Sequence, residues 1–208
     1  MIAVIDYGLG NLRSVHKALE VVGADVKITN RSKDLSEARA IILPGVGAFQ
    51  RGMRNLNELN ILPAIYNVIE QGKPFLGICL GLQLLFTESE EHGRHKGLDV
   101  IKGRVKKFSI DVKIPHMGWN QIKQSAIGNR QSAEKIFERI PKNSYFYFVH
   151  SYYVEPENDN VIAATADYGK EFVCAIVQNN VWGVQFHPEK SDVLGLKILE
   201  NFWRSSLV

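Results

Sequence analysis

The strongest constraint on the fold is a set of short, unbroken apolar runs in the first half of the chain. Ile2-Ala-Val-Ile5, Ala40-Ile-Ile-Leu43 and Pro74-Phe-Leu-Gly-Ile78 carry no polar face. A strand apolar on both sides must be covered on both sides, as in the parallel sheet of an α/β fold. Helical spacing lies between these runs. Leu12, Val15, Ala18, Leu19 and Val22 recur at 3–4-residue intervals and stop at Gly23. Residues 61–71 repeat the pattern and stop at Gly72, residues 25–29 alternate as a strand does, and residues 80–86 read as a helix. Strand and helix alternating through short connections predict an open, mostly parallel sheet flanked by helices, a flavodoxin-like α/β architecture. From about Val100 the segments become strand-like, at 102–108, 144–154, 161–166, 172–178 and 181–186, with a closing helix over 194–203. Asn179-Asn180 suits a tight hairpin turn, because Asn tolerates positive φ. These later strands are expected to extend the sheet and add an antiparallel layer. The charged stretch Glu88-Ser-Glu-Glu-His-Gly-Arg-His-Lys96 reads as a solvated loop.

Size and composition set the functional bounds. At roughly 150 residues per domain, 208 residues point to a single domain spanning 1–208. Lys+Arg 25 against Asp+Glu 22 leaves a net charge of +3, no footprint for nucleic acid. The basic stretch Arg104-Val-Lys-Lys107 lacks interleaved aromatics for base stacking. No apolar run approaches the length of a membrane span. The start Met1-Ile-Ala-Val-Ile-Asp6 lacks the basic region of a secretory signal, so a reducing cytoplasmic setting is expected. The two cysteines, Cys79 and Cys174, make neither a disulfide framework nor a metal-ligand spacing. No metal or cofactor is called for.

The chemistry concentrates in three short blocks. Gly77-Ile-Cys-Leu-Gly81 follows a buried run and opens a helical one. It is the G-x-S-x-G nucleophile elbow with Cys in place of Ser. The nucleophile sits on a strained strand-to-helix turn whose neighbours must be small, and the helix start favours the thiolate. The Leu80 N–H would face a developing oxyanion. Gly183-Val-Gln-Phe-His-Pro-Glu189 ends a strand and presents His187 and Glu189 two residues apart, with Pro188 forcing the chain out of the sheet. Glu189 can hold one ring nitrogen of His187 while the other faces a nucleophile. Sites in open α/β sheets gather at the carboxyl ends of strands, so Cys79, His187 and Glu189 are the candidate catalytic triad. Pro44-Gly-Val-Gly47 follows another strand, and its Gly45, Val46 and Gly47 amides are candidate oxyanion donors. Cys174, inside Phe172-Val-Cys-Ala-Ile-Val177, reads as core. Asp6-Tyr-Gly-Leu-Gly10 contains a G-x-G but has Arg13 where a dinucleotide fingerprint needs its third glycine.

Pro44-Gly-Val-Gly47, Gly77-Ile-Cys-Leu-Gly-Leu-Gln83 and Gln185-Phe-His-Pro-Glu189 resemble, in order and separation, the three signature blocks of class I (triad) glutamine amidotransferases. Asp6-Tyr-Gly-Leu-Gly-Asn-Leu-Arg-Ser14, Pro115-His-Met-Gly-Trp-Asn120, Phe148-Val-His-Ser-Tyr152 and His187-Pro-Glu-Lys-Ser191 resemble more narrowly the glutaminase subunits of imidazole glycerol phosphate synthases. The related glutaminases of chorismate chemistry usually carry His where Leu82 stands here.

The resemblance implies that Cys79 attacks the side-chain amide of glutamine, forming a γ-glutamyl thioester and releasing ammonia. His187 would move the protons and Glu189 would orient it. Leu80 and the loop of Gly45, Val46 and Gly47 would form the oxyanion hole, in which a misoriented loop peptide would keep the resting enzyme slow. Gln83, His150, Ser151 and Tyr152 would hold the glutamine amino-acid group. The ammonia would pass through a channel to a separate (β/α)8-barrel cyclase subunit, HisF. That heterodimer makes imidazole glycerol phosphate and aminoimidazole carboxamide ribotide in histidine biosynthesis. Asn11, Arg13, Trp119 and Lys190 are the expected interface residues. The competing readings are a glutaminase serving chorismate chemistry and a non-catalytic subunit on the same scaffold. The block 115–120 speaks against the first, and the intact Cys79, His187 and Glu189 against the second.

Overall fold

The computed structural model describes residues 1–108, 111–125 and 135–207. Strands β1 (Ile2–Ile5), β2 (Val26–Thr29), β3 (Ala40–Leu43) and β4 (Phe75–Ile78) pair in parallel in the order β2-β1-β3-β4. Helices α1 (Leu12–Val21), α2 (Ser32–Glu37), α3 (Phe49–Glu58) and α4 (Leu62–Glu70) connect them. Asn11 caps α1 by accepting the Ser14 N–H, and Gly23 and Gly72 take positive φ just beyond α1 and α4.

Alternate residues of each strand sort into two cores. Ile2, Val4, Ala40, Ile42, Leu76 and Ile78 face α1 and the last helix, α6 (Asp192–Ser205). Ala3, Ile5, Ile41, Leu43 and Phe75 face the layer of α2, α3 and α4. The period-2 alternation of a strand, with both faces covered, explains why these runs tolerate no polar residue. Each large side chain buried there contributes about 1.5–3 kcal/mol.

The second half continues the sheet. After α5 (Leu80–Leu84) come β5 (Phe86–Ser89), β6 (His95–Lys96), β7 (Ile101–Lys107), β8 (His116–Gln124), β9 (Tyr145–His150), β10 (Tyr152–Pro156), β11 (Ile162–Asp167), β12 (Glu171–Gln178) and β13 (Val181–Val184). β13 lies parallel to β4, and β12 turns back from it through the Asn179-Asn180 hairpin, with Asn179 at φ +54. The sheet continues β12-β10-β7-β5-β6, while β11, β8 and β9 branch off β12 as an antiparallel layer.

Four expectations are revised. The helix predicted over 80–86 is only one turn, because Phe86 is drawn into pairing with Ile101 of β7. The stretch 88–96 is a short β5–β6 hairpin rather than an unstructured loop. Residues 144–154 form two strands that part at Ser151, β9 joining β8 and β10 joining β7. The strand predicted over 181–186 ends at Val184, which frees the next residues for the turn that carries His187.

Candidate active site

The carboxyl ends of β1, β3, β4 and β13 lie side by side, and each delivers one part of the site. Cys79 follows β4 at φ +53 and ψ −107, the strained corner expected of an elbow, and its N–H donates to the Val184 carbonyl at 2.8 Å. The glycines make this corner possible. A Cβ on Gly81 would sit 1.8 Å from the Leu43 carbonyl oxygen, and one on Gly77 would sit 2.7 Å from that of Gly81. α5 is too short to exert much of a helix dipole. The charges nearest the Cys79 sulfur come from side chains instead.

β13 ends beside it. His187 is 1% exposed, and its Nδ1 pairs with Glu189 Oε1 at 2.8 Å. The turn is held by β9: the His187 N–H donates to the Tyr147 carbonyl, and Ser191 Oγ donates to the His187 carbonyl while accepting the Tyr147 N–H. Burial pushes the His187 imidazole down, but the Cys79 sulfur and the Glu189 carboxylate outweigh it and raise the group to about 10. His187 Nε2 is buried near that sulfur without a hydrogen-bond partner. It is free to take or give a proton. This arrangement sets the Cys79 sulfur beside an imidazolium, which suits attack on a carbonyl carbon.

The expected oxyanion site is closed. The Leu80 N–H donates to the Gly45 carbonyl at 3.3 Å. The donor expected to face an oxyanion is thus occupied by the loop expected to supply a second one. Val46 and Gly47 line the cavity above it, and Gly47 stands at φ +106.

That cavity, about 580 Å³, brings together Cys79, Leu80, Gln83, His150, Ser151 and Tyr152. Gln83 Nε2 donates to the Tyr152 carbonyl and to Gln185 Oε1, both at 3.1 Å. Both ring nitrogens of His150 are engaged within the protein. Its Nδ1 donates to the Tyr152 carbonyl at 2.8 Å, which leaves Nε2 to accept from His116 Nδ1 at 2.9 Å. His116 Nε2 in turn accepts from Asn120 Nδ2 at 3.2 Å. Burial drives both imidazoles down, His116 to about 4 and His150 to about 3, so both are neutral and their tautomers are fixed by this chain. The pair pins the corner at Ser151, a residue that lines the cavity.

Three groups escaped the sequence reading. Gln185, fully buried, points its Nε2 at the Cys79 sulfur at 3.6 Å. Glu91 and Lys107 place opposite charges at the cavity wall, as a zwitterionic ligand requires, and Glu91 also accepts the Phe49 N–H. Tyr7 lies buried against Gly45. The Gln185 position was legible in its block; the others depend on contacts between distant segments.

The expected interface residues fall on one side. The turn Pro188–Lys190 packs against both α1, which follows Asn11 and carries Arg13, and β9. Lys190 Nζ lies 5.9 Å from the Tyr147 ring centroid, opposite Trp119 across the β8–β9 ladder. Trp119 is 54% exposed and Met117, on the same face, 62%. An exposed apolar strip of this kind suits an interaction surface.

Residues 3–205 match the family model of class I glutamine amidotransferases, and the chain belongs to that family. Among curated proteins it is 53% identical to the imidazole glycerol phosphate synthase subunit HisH of Aquifex aeolicus, with 98% of this chain and 96% of that protein aligned. It is 50% identical to the HisH of Syntrophotalea carbinolica, over 97% and 98% of the two chains. A solved glutamine amidotransferase superposes over the full length of both chains with a TM-score of 0.76 at 17% identity. The PurLQS structure from Thermotoga maritima covers 99% of this chain, and 96% of its own, with a TM-score of 0.73 at 22% identity. These last two speak for the fold. Among the described residues no helix is long and apolar enough to cross a membrane.

Proposed function

We propose that the chain is the glutaminase subunit of an imidazole glycerol phosphate synthase, working as one glutamine amidotransferase domain in the cytoplasm. Its substrate is glutamine and its partner is a (β/α)8-barrel cyclase, HisF. The observation that carries the reading is the buried Cys79–His187–Glu189 arrangement in a chain about half identical, end to end, to curated HisH proteins.

Cys79 attacks the carboxamide carbon of glutamine, and the electron pair of the C=O bond moves to oxygen. His187 passes its proton from Nε2 to the leaving nitrogen, so ammonia departs and a γ-glutamyl thioester remains. His187, now neutral, takes a proton from water as that water attacks the thioester. Glutamate leaves and the Cys79 thiolate is restored. Glu189 keeps the ring oriented and favours its cationic form. Gln83, the backbone of His150, Ser151 and Tyr152, and the opposed charges of Glu91 and Lys107 position the amino-acid end of the substrate. That positioning supplies much of the rate for an unreactive amide.

The Leu80–Gly45 bond supports a gated enzyme. An oxyanion can use the Leu80 amide only after the Gly45 carbonyl has turned away. The partner, docking on the side of Asn11, Arg13, Trp119 and Lys190, would favour that turn and receive the ammonia through its channel. The cyclase then joins the ammonia to a ribulosyl intermediate, giving imidazole glycerol phosphate and aminoimidazole carboxamide ribotide.

The test is glutamate formation from glutamine, measured with and without a purified cyclase subunit. Activity should rise when the partner is added and fall by about 10⁴-fold or more in Cys79→Ala, the scale seen when a catalytic nucleophile is removed. Full activity in Cys79→Ala would overturn the triad, and an undiminished rate without the partner would overturn the gate.

A further inference from the structure

We propose that the Tyr7 hydroxyl is a positioning group that receives the Gly45 carbonyl when that carbonyl leaves the Leu80 amide, and so holds the oxyanion site open. The proposal rests on the glutaminase reading and adds a residue to its gate.

Tyr7 follows β1 by two residues and is 2% exposed. Its hydroxyl oxygen is buried and has no hydrogen-bond partner. A buried hydroxyl without a partner is unfavourable, so its presence calls for a bond made in another state of the molecule. The hydroxyl lies against the residue that closes the oxyanion site. A Cβ on Gly45 would be 2.2 Å from Tyr7 Oη and 2.9 Å from Leu80 Cβ. Glycine is the residue that leaves space for the hydroxyl there and lets its own peptide rotate.

The surroundings restrict which part moves. The Tyr7 carbonyl accepts from Asn55 Nδ2 of α3 at 2.8 Å, and the Gly8 N–H donates to Asp6 Oδ1 at 3.0 Å, so the Tyr7 backbone is anchored. Gly10, at the end of the same turn, packs beside Pro44 and Gly45. Gly45 is buried, and its carbonyl, once off Leu80, needs another donor there. The Tyr7 hydroxyl is a buried donor beside Gly45 that is not already in use. Burial and the nearby Cys79 sulfur hold the phenol well above its ordinary range, so it stays protonated and able to donate at any working pH. In the closed state the Leu80 amide holds the carbonyl; in the open state Tyr7 holds it and Leu80 is free for the oxyanion.

Tyr7→Phe removes the hydroxyl and keeps the ring. Four quantities decide the matter: glutamate formation with and without the cyclase, KM for glutamine, the Tm, and the rate at which iodoacetamide alkylates Cys79, a reaction that builds no oxyanion. The expected result is a fall of about tenfold in partner-stimulated kcat, equivalent to about 1.4 kcal/mol. The ratio of stimulated to unstimulated rates should fall with it, while KM stays within about twofold and alkylation keeps its rate. Because the hydroxyl is unpaired in the isolated chain, Tyr7→Phe should melt no lower than the parent; a lower Tm would mark the hydroxyl as structural and overturn the proposal. An unchanged kcat would overturn it, as would a slowing of alkylation equal to the loss in kcat. Equal losses with and without the partner would also overturn it, because Tyr7 would then not distinguish open from closed. Absence of Cys79-dependent glutamate formation in the parent protein would overturn the glutaminase reading and this proposal together, whereas the other outcomes overturn this proposal alone.

Discussion

Two buried cysteines lie on neighbouring parts of one sheet and have opposite characters. Cys79, 6% exposed, terminates β4 in a left-handed turn beside a charged imidazole and the Gln185 amide. Cys174 is fully buried inside β12 in an apolar core. Burial pushes its thiol well above the ordinary range, and the weaker pull of a backbone hydrogen bond does not compensate. The residue type and the depth are nearly the same. The difference is the backbone corner that takes Cys79 out of the sheet and the partners gathered at that corner. In this fold the setting of a thiol is decided by where its strand ends.

The comparison breaks most severely at Glu189, whose carboxylate is one of the charges that set the two cysteines apart. In Glu189→Gln the ring of His187 loses an anion at 2.8 Å but keeps a hydrogen-bond partner of the same shape. Glutaminase kcat should fall about 10⁴-fold, the scale found when the orienting acid of a triad is neutralised. The sign of the pH effect follows from the charges. His187 is raised to about 10 with Glu189 contributing upward, so the imidazolium persists to high pH and is lost as pH rises through that value. Without the carboxylate the loss begins at lower pH. The alkaline limb of kcat/KM should therefore shift down in Glu189→Gln, and an unmoved limb would mean that Glu189 does not set the charge of His187.

Gly81→Ala tests the corner itself. The added Cβ would meet the Leu43 carbonyl oxygen at 1.8 Å, and that obstacle is strand backbone with little room to yield. The expected cost is about 3 kcal/mol of unfolding free energy, read by denaturant titration. Glutaminase loss should exceed what instability explains, since the same shift misplaces Cys79. A variant as stable as the parent would show that the elbow is looser than its geometry implies.

What could be read from the residues, and what could not, divides along the same line. The parallel half was legible because a strand covered on both faces can carry only apolar side chains, as in Ala40–Leu43. The blocks proposed to carry the chemistry were legible because His187 and Glu189, and Cys79 and its glycines, are neighbours in the chain. β8 was not, since only His116 and Ile122 of its nine residues are buried and the alternation is mostly polar. α3 was also passed over, although Phe49, Gly52 and Leu56 have helical spacing. The break at Ser151 was hidden because β9 and β10 are both strand-like, and only their different partners separate them. Tyr7 and Glu91 acquire their places through contacts with residues 38 and 42 positions away, Gly45 and Phe49 respectively, which no local pattern encodes. The closure of Leu80 by Gly45 belongs to the same class.

The smallest effect is expected at Cys174, and it sharpens the contrast from the quiet side. Cys174→Ala removes one sulfur from a packed strand and leaves a hole about the size of a methyl group, a cost of about 1 kcal/mol. β12 is central: it pairs with β10, β11 and β13, and the Gln185 N–H donates to the Cys174 carbonyl at 2.8 Å. That backbone bond survives the substitution, so Gln185 keeps its place beside Cys79 and glutaminase activity should be unchanged. Reactivity provides the second measurement. Iodoacetamide should modify Cys79 in the native chain and reach Cys174 only through opening of the central sheet, so Cys174 labelling should track global unfolding in denaturant. Rapid labelling of Cys174 under native conditions would show that β12 opens locally. The strand that holds Gln185 against Cys79 would then not be the rigid support that the contrast between the two cysteines requires.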